Sequence, residues 1–134
     1  MCSLRSLACL ILVLGAAGAA AFPFSARDRA HAFSACAGLQ AAEAEHAALV
    51  GSGRVAEAAA QRRAFSDLLA AVAPDAQSEG VAPADMRAIR VQARLAHRAA
   101  LARAAFAPDP LRAAQATRVV DAGRARCAAL LLSG

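Results

Sequence analysis

The stretch FSDLLAAV, residues 65–72, carries the clearest structural pattern in this chain. Its large apolar residues recur at intervals of three and four, the spacing of one face of an α-helix. They are Phe65, Leu68, Leu69 and Val72. Around this stretch Ala dominates, with 43 of 134 residues, and Ala is the best helix former. Because β-branched and aromatic residues are too sparse for a sheet, we expect an all-α protein.

Capping and breaking residues divide the chain into four helical segments. We expect the first helix at about 26–50, capped by Ser25, and the second from Arg54 to Ala73, ended by Pro74. Residues 74–83 then form a loop, a third helix runs over about 83–107, and a fourth begins at Pro110. Similar helix lengths and short connections predict an antiparallel up-down bundle of about four helices.

The N-terminal segment has the features of a signal peptide at residues 1–21. Arg5 precedes an uncharged run over 7–21, and Ala19 and Ala21 fit the A-x-A cleavage pattern. The alternative is an uncleaved membrane anchor, but the run is short for a span of roughly 20 residues. We therefore expect an exported, periplasmic protein whose single mature domain is 22–134.

Two cysteines remain once the signal peptide is removed. An exported chain with an even cysteine count most simply pairs them, so we expect a disulfide between Cys36 and Cys127. An up-down bundle brings the start of the first helix and the end of the fourth to the same end, which suits this bond. A redox-active pair or two free thiols are the alternatives, although a redox pair usually has the C-x-x-C form.

Few residues suggest chemistry. Glu43 and His46 form one Glu-x-x-His motif, whereas di-iron bundles use two such motifs and further carboxylates. These two residues are the weak metal candidates, usually a surface feature or a local hydrogen bond, and we expect no metal and no cofactor. The sequence also lacks the nucleophile elbow, the S-x-x-K motif and a phosphate-binding loop, so we do not expect an enzyme.

Arginine provides the most informative surface feature. Arg87, Arg90, Arg94 and Arg98 follow one another at spacings of three, four and four, so they share one face of the third helix. Such a stripe could bind lipid headgroups, an acidic protein or nucleic acid, or could simply be a solvated face. Export and the absence of aromatic residues among the arginines disfavour nucleic acid.

Residues 87–132 combine this arginine periodicity with an Ala-Phe-Ala-Pro-Asp-Pro break and a second helix. In these features the segment resembles the Ala- and Arg-rich helical hairpins of periplasmic heavy-metal-resistor and stress-chaperone proteins. The segment Ala-Cys-Ala-Gly-Leu at 35–39, followed by Glu43 to His46, is similar to small exported bacterial proteins. The first resemblance implies a metal-responsive or chaperone-like role.

Our leading hypothesis is a small exported, non-enzymatic helical protein that acts as a binding module in the bacterial envelope. Its partner would be another envelope protein or a second copy of itself in a homodimer. One alternative is a periplasmic stress- or metal-responsive, chaperone-like protein. Another is peripheral contact with an anionic membrane surface through the arginine stripe.

Overall fold

The computed structural model describes residues 25–132. Its regular structure consists of four helices: α1 (Ala26–Leu49), α2 (Val55–Ser78), α3 (Pro83–Phe106) and α4 (Pro110–Leu132). The described residues form no strand, so the prediction of an all-α protein with four helices is confirmed. The signal peptide expected at residues 1–21 lies outside the described range. Within 25–132, no helix has both the length and the apolar character needed to span a membrane.

The start of α1 is held by two sets of hydrogen bonds. Ser25 is the N-cap, as expected, and its hydroxyl oxygen accepts a hydrogen bond from the backbone N–H of Asp28 at 3.0 Å. The carboxylate of Glu79 accepts hydrogen bonds from the N–H groups of Ala26 and Arg27 at 3.1 and 2.9 Å. These amides have no partner within the helix, and the positive end of the helix dipole favours a carboxylate. The end of α2 therefore closes over the start of α1.

The expected end of α2 at Ala73 is wrong, because Pro74 lies inside the helix. Proline removes one backbone hydrogen bond, but α2 continues for another turn that buries Ala76 completely. The helix then ends in a Schellman motif at Gly80, whose φ is 87°. In it, the N–H of Val81 bonds to the carbonyl of Ala76, and both side chains pack in one apolar cluster. Because this last turn is buried and stays helical, the loop that was predicted at 74–83 contains only residues 79–82.

The helices follow the predicted up-down order. Ala30, early in α1, packs on Ala76 at the end of α2 and on Met86 at the start of α3. Ala42, later in α1, packs on Leu101 near the end of α3. Thus α1 and α3 run parallel, α2 runs antiparallel to them, and the α1–α2 and α3–α4 connections lie at the same end of the bundle.

Helix α1 is the central helix of the bundle. Every residue from 29 to 47 is buried or half-buried, whereas an ordinary surface helix exposes one whole face. Its small side chains let the other helices approach closely. At Gly38, an added Cβ atom would lie only 2.2 Å from the carbonyl oxygen of Arg90 in α3. This approach explains why α1 touches α3 directly instead of across a square of four helices.

A disulfide joins α1 to α4. The Cα atoms of Cys36 and Cys127 lie 5.7 Å apart, and both residues are buried, so the predicted bond is confirmed. It packs beside Phe33 and Phe65, whose ring centroids are 6.4 Å apart. These two rings and Leu39 supply most of the bulk of the apolar cluster around the disulfide, and alanine is the commonest buried residue of the core as a whole.

Candidate functional site

The arginine stripe predicted on α3 borders a groove between α2 and α3. All four stripe residues are exposed, and two of them, Arg90 and Arg94, line the groove. Arg62 and Arg63 of α2 line the opposite wall. The groove has a volume of about 430 Å³. The structure therefore adds a second row of guanidinium groups facing the one that the sequence pattern indicated.

The floor of this groove belongs to α1. Ala37 and Ala41 form it, while Ser66 and Val91 complete the walls. The alanine side chains are too short to fill the space between α2 and α3, so it stays open to solvent. We call this feature the arginine groove. It is lined by Ala37, Ala41, Arg62, Arg63, Ser66, Arg90, Val91 and Arg94.

The arginine groove carries an excess of positive charge. Arg94 forms an ion pair with Glu45 of α1, with 2.6 Å between Nη2 and Oε1. Within the described part of the chain, Arg62, Arg63 and Arg90 have no carboxylate partner. An unpaired guanidinium keeps its donors free, and its planar fork matches carboxylate and phosphate groups. The arrangement is therefore suited to an anionic group that spans the two walls.

A buried ionic network lies on the opposite side of α1. The Oε1 atom of Glu43 accepts hydrogen bonds from His97 Nε2 at 2.7 Å and from Arg124 Nε at 2.8 Å. Its Oε2 atom accepts a third bond from Arg124 Nη2 at 2.8 Å. Glu43 and His97 are both buried. This network joins three helices through one carboxylate.

The electrostatics of the network keep Glu43 ionised. Burial acts to raise the pKa of Glu43, but hydrogen bonds from His97 and Arg124, together with their charges, outweigh it and lower that pKa to about 2. The hydrogen bond to Glu43 in turn raises the pKa of Arg124. Because a carboxylate can only accept, His97 must donate its Nε2 proton.

Glu43 is neither a surface residue nor part of a local hydrogen bond, the two ordinary roles expected for the Glu43 and His46 motif. The carboxylate of Glu43 is buried and occupied by His97 and Arg124, while the His46 ring lies 6.5 Å from the ring of Phe106. Residues 25–132 contain no group of three or more His, Cys, Asp or Glu side chains placed to hold a metal ion. The Glu43 carboxylate is thus engaged by His97 and Arg124, and no described side chains complete a metal site around it and His46.

The sequence pattern did not reveal the Glu43 network. Its members are 54 and 81 residues apart and show no common spacing. Gly123, one residue before Arg124, was an available signal, because a glycine inside a helical pattern often marks close packing. A Cβ atom at Gly123 would lie 2.9 Å from Leu39 and 3.5 Å from the His97 ring. Residue spacing identified the arginine stripe on α3, but it did not identify Arg62 and Arg63 of α2, which form the opposite wall of the groove.

A scan against protein-family models, a search of curated proteins and a search of solved structures each found no match to this chain. The resemblance of residues 87–132 to heavy-metal-resistor and stress-chaperone hairpins therefore stays a prediction.

Proposed function

We propose that this protein is a small, exported, non-enzymatic binding module that recognises an acidic segment of a partner protein through the arginine groove. The observation that carries the proposal is the pair of facing arginine rows on α2 and α3, which a single carboxylate, Glu45, partly neutralises. Hydrogen bonds to charged groups are the strong ones, and the two rigid helices hold the backbone positions of both arginine rows in place before binding.

The groove favours a different protein over a second copy as the partner. A two-fold dimer places the same surface patch of both copies together. At the arginine groove this would bring Arg62, Arg63 and Arg90 against their own counterparts, and like charges in an interface are unfavourable. An acidic segment satisfies these side chains instead.

The disulfide supports the exported location. Such bonds persist in oxidising compartments and are rare in reducing ones. Intact mass of the protein isolated from the bacterial envelope without reductant tests this part of the proposal. The expected mass is that of residues 22–134 less two hydrogen atoms. Retention of residues 1–21 would contradict cleavage and indicate an anchored protein.

Binding through the arginine groove is tested with fluorescent peptides. The probe is a peptide of alternating Glu and Ala, and the uncharged reference replaces Glu with Gln. Anisotropy should show salt-dependent binding of the acidic peptide alone. R63Q/R90Q, which removes one guanidinium from each wall, should weaken binding by about tenfold or more, because each charge-assisted hydrogen bond contributes roughly 1.5 to 3 kcal/mol.

The matched control is R118Q/R126Q. It removes the same charge from exposed positions of α4, which does not line the arginine groove. Circular dichroism should confirm that both variants remain helical. Equal weakening by the two variants would mean that only net charge matters, and the proposal for the groove would then be wrong.

The stress- or metal-responsive alternative gains no support from Glu43, whose carboxylate is bonded to His97 and Arg124. It remains testable by calorimetry with divalent metal ions and by suppression of client aggregation.

A further inference from the structure

The end of the bundle that carries the α1–α2 and α3–α4 connections exposes a group of large apolar side chains. Leu49 and Leu111 are each 78% exposed, and Phe106 is 71% exposed. The ring contact between His46 and Phe106 brings the two connections close together. We call this group the apolar end. Its members are Leu49, Val50, Val55, Phe106 and Leu111.

A basic cleft lies beside the apolar end. It opens between α3 and α4 with a volume of about 600 Å³. Arg103 of α3 and Arg112 of α4 line it, together with the amide of Gln115. Ala100, Ala116 and Val119 supply its apolar wall. Two arginines and a glutamine therefore line one cleft, each about one helical turn or less along the chain from Phe106 or Leu111.

The arginines of this cleft are available to a ligand. Arg112 has only a loose contact with Asp109, at 3.4 Å, and its side chain is 81% exposed. In the described range Arg103 forms no ion pair. Asp109 is already engaged, because it also accepts a hydrogen bond from the N–H of Leu111 at 2.9 Å. A phosphate group would give both guanidinium groups a bidentate partner.

Charge is distributed unevenly along the bundle axis. The opposite end, where α2 finishes and α1 and α3 begin, carries four acidic residues. They are Asp28, Asp75, Glu79 and Asp85, and they lie among Arg27, Arg29 and Arg87. At the apolar end, the carboxylates of Glu57 and Asp109 each lie 3.4 Å from an arginine. The carboxylates of the opposite end offset its arginines, whereas Arg103 and Arg112 would attract an anionic surface to the apolar end.

We propose that the apolar end docks on a bilayer containing anionic phospholipid. Its five apolar side chains enter the interfacial layer, and Arg103, Arg112 and Gln115 bind a lipid phosphate. Insertion of exposed leucine and phenylalanine beside basic residues is the usual basis of peripheral membrane binding. The cleft places Arg103, Arg112 and Gln115 beside the apolar side chains that enter the bilayer, where they can bind the phosphate of a lipid headgroup. This proposal uses a surface separate from the arginine groove and stands independently of the acidic-peptide site.

Vesicle sedimentation tests the proposal with the disulfide-bonded protein. The probes are phosphatidylcholine vesicles with and without phosphatidylglycerol. Binding is expected only when phosphatidylglycerol is present, and it should weaken with salt. L49S/L111S should lower the partition coefficient by about tenfold or more, because two apolar side chains no longer enter the interface. R103Q/R112Q should lower it to a similar extent.

Two matched controls show whether the losses are specific to the apolar end and its cleft, or follow from removing any exposed leucine or any positive charge. L95S/L132S replaces two other exposed leucines, and R118Q/R126Q removes the same charge elsewhere on the bundle. Both should bind vesicles within about twofold of the unmodified protein. Glycerol 3-phosphate is the soluble probe, and it should bind too weakly to compete with vesicles.

Three outcomes would overturn the proposal. The first is unchanged vesicle binding by L49S/L111S, and the second is equal losses in the control variants. The third is saturation by glycerol 3-phosphate without vesicle binding, which would assign the cleft to a free phosphate ester. The acidic-peptide assay, run on the same variants, shows separately whether the arginine groove functions.

Discussion

At the scale of single residues, substitution of Glu43 tests the buried ionic network most directly. Its carboxylate is the common acceptor for His97 and Arg124, so E43Q leaves a partly buried guanidinium with one charged partner fewer. Breaking a buried pair costs roughly 3 to 5 kcal/mol, and partial exposure of Arg124 reduces this to about 2 to 3 kcal/mol. Urea unfolding followed by circular dichroism measures the change.

Glu45 provides the matched control for this substitution. It lies two residues from Glu43 on the same helix, and its ion pair with Arg94 is about half exposed. Exposed pairs contribute roughly 0 to 1 kcal/mol, so E45Q should change the free energy of unfolding by less than about 1 kcal/mol. Similar losses for the two variants would show that the buried network contributes nothing beyond a surface ion pair.

The pH dependence of stability follows from the same carboxylate. The pKa of Glu43 is lowered from 4.5 to about 2, so the unfolded chain binds this proton more readily than the folded chain. The stabilising contribution is complete above about pH 4.5 and is lost as the pH falls through about 2. Urea midpoints of the unmodified protein and E43Q should therefore converge as the pH falls through this window. A constant difference down to pH 2 would contradict this.

At the scale of helices, residue spacing and capping predicted the start of every helix but not the end of α2. Ser25, Pro83 and Pro110 are local signals, and each begins or caps a helix as expected. Pro74 is also a local signal, but tertiary burial of Ala76 and Val81 overrides it. Capping and breaking residues thus predict the end of a helix only where tertiary packing does not extend the helix beyond them.

Contact between α1 and α3 depends on Gly38. A methyl group there would meet the carbonyl oxygen of Arg90 at 2.2 Å, and backbone atoms cannot rotate away. Overpacking typically costs roughly 1 to 3 kcal/mol, while alanine gains about 1 kcal/mol of helix propensity over glycine. We expect G38A to destabilise the protein by about 1 to 2 kcal/mol in net terms, measured by thermal and urea unfolding.

Gly53 is the control for this change, because nothing lies within 4 Å of a Cβ atom added there. G53A should leave the free energy of unfolding within about 0.5 kcal/mol of the unmodified protein. If G38A were as stable as G53A, α1 and α3 would not be in the close contact described above.

At the scale of the whole molecule, the arginine groove and the Glu43 network are formed by residues that helix packing brings together and that no local sequence pattern connects. The arginine spacing on α3 was visible in the sequence, yet Arg62 and Arg63 face it only because α2 and α3 lie on two sides of α1. Glu43 likewise meets His97 and Arg124 through the packing of three helices. The Cys36–Cys127 bond was predictable because removal of the expected signal peptide would leave a single possible intramolecular pair.

That bond should contribute a large part of the stability of the whole bundle. It joins residues 91 positions apart, and for such a loop the chain-entropy model gives about 4 to 5 kcal/mol. The core around it is mainly alanine, which buries little apolar area per residue. We expect C36A/C127A to remain helical near room temperature and to unfold at much lower urea concentration. Because the bond acts chiefly on the unfolded chain, the folding rate should fall while the unfolding rate changes less. An equal urea midpoint for the two proteins would mean that helix packing alone holds α4 against α1.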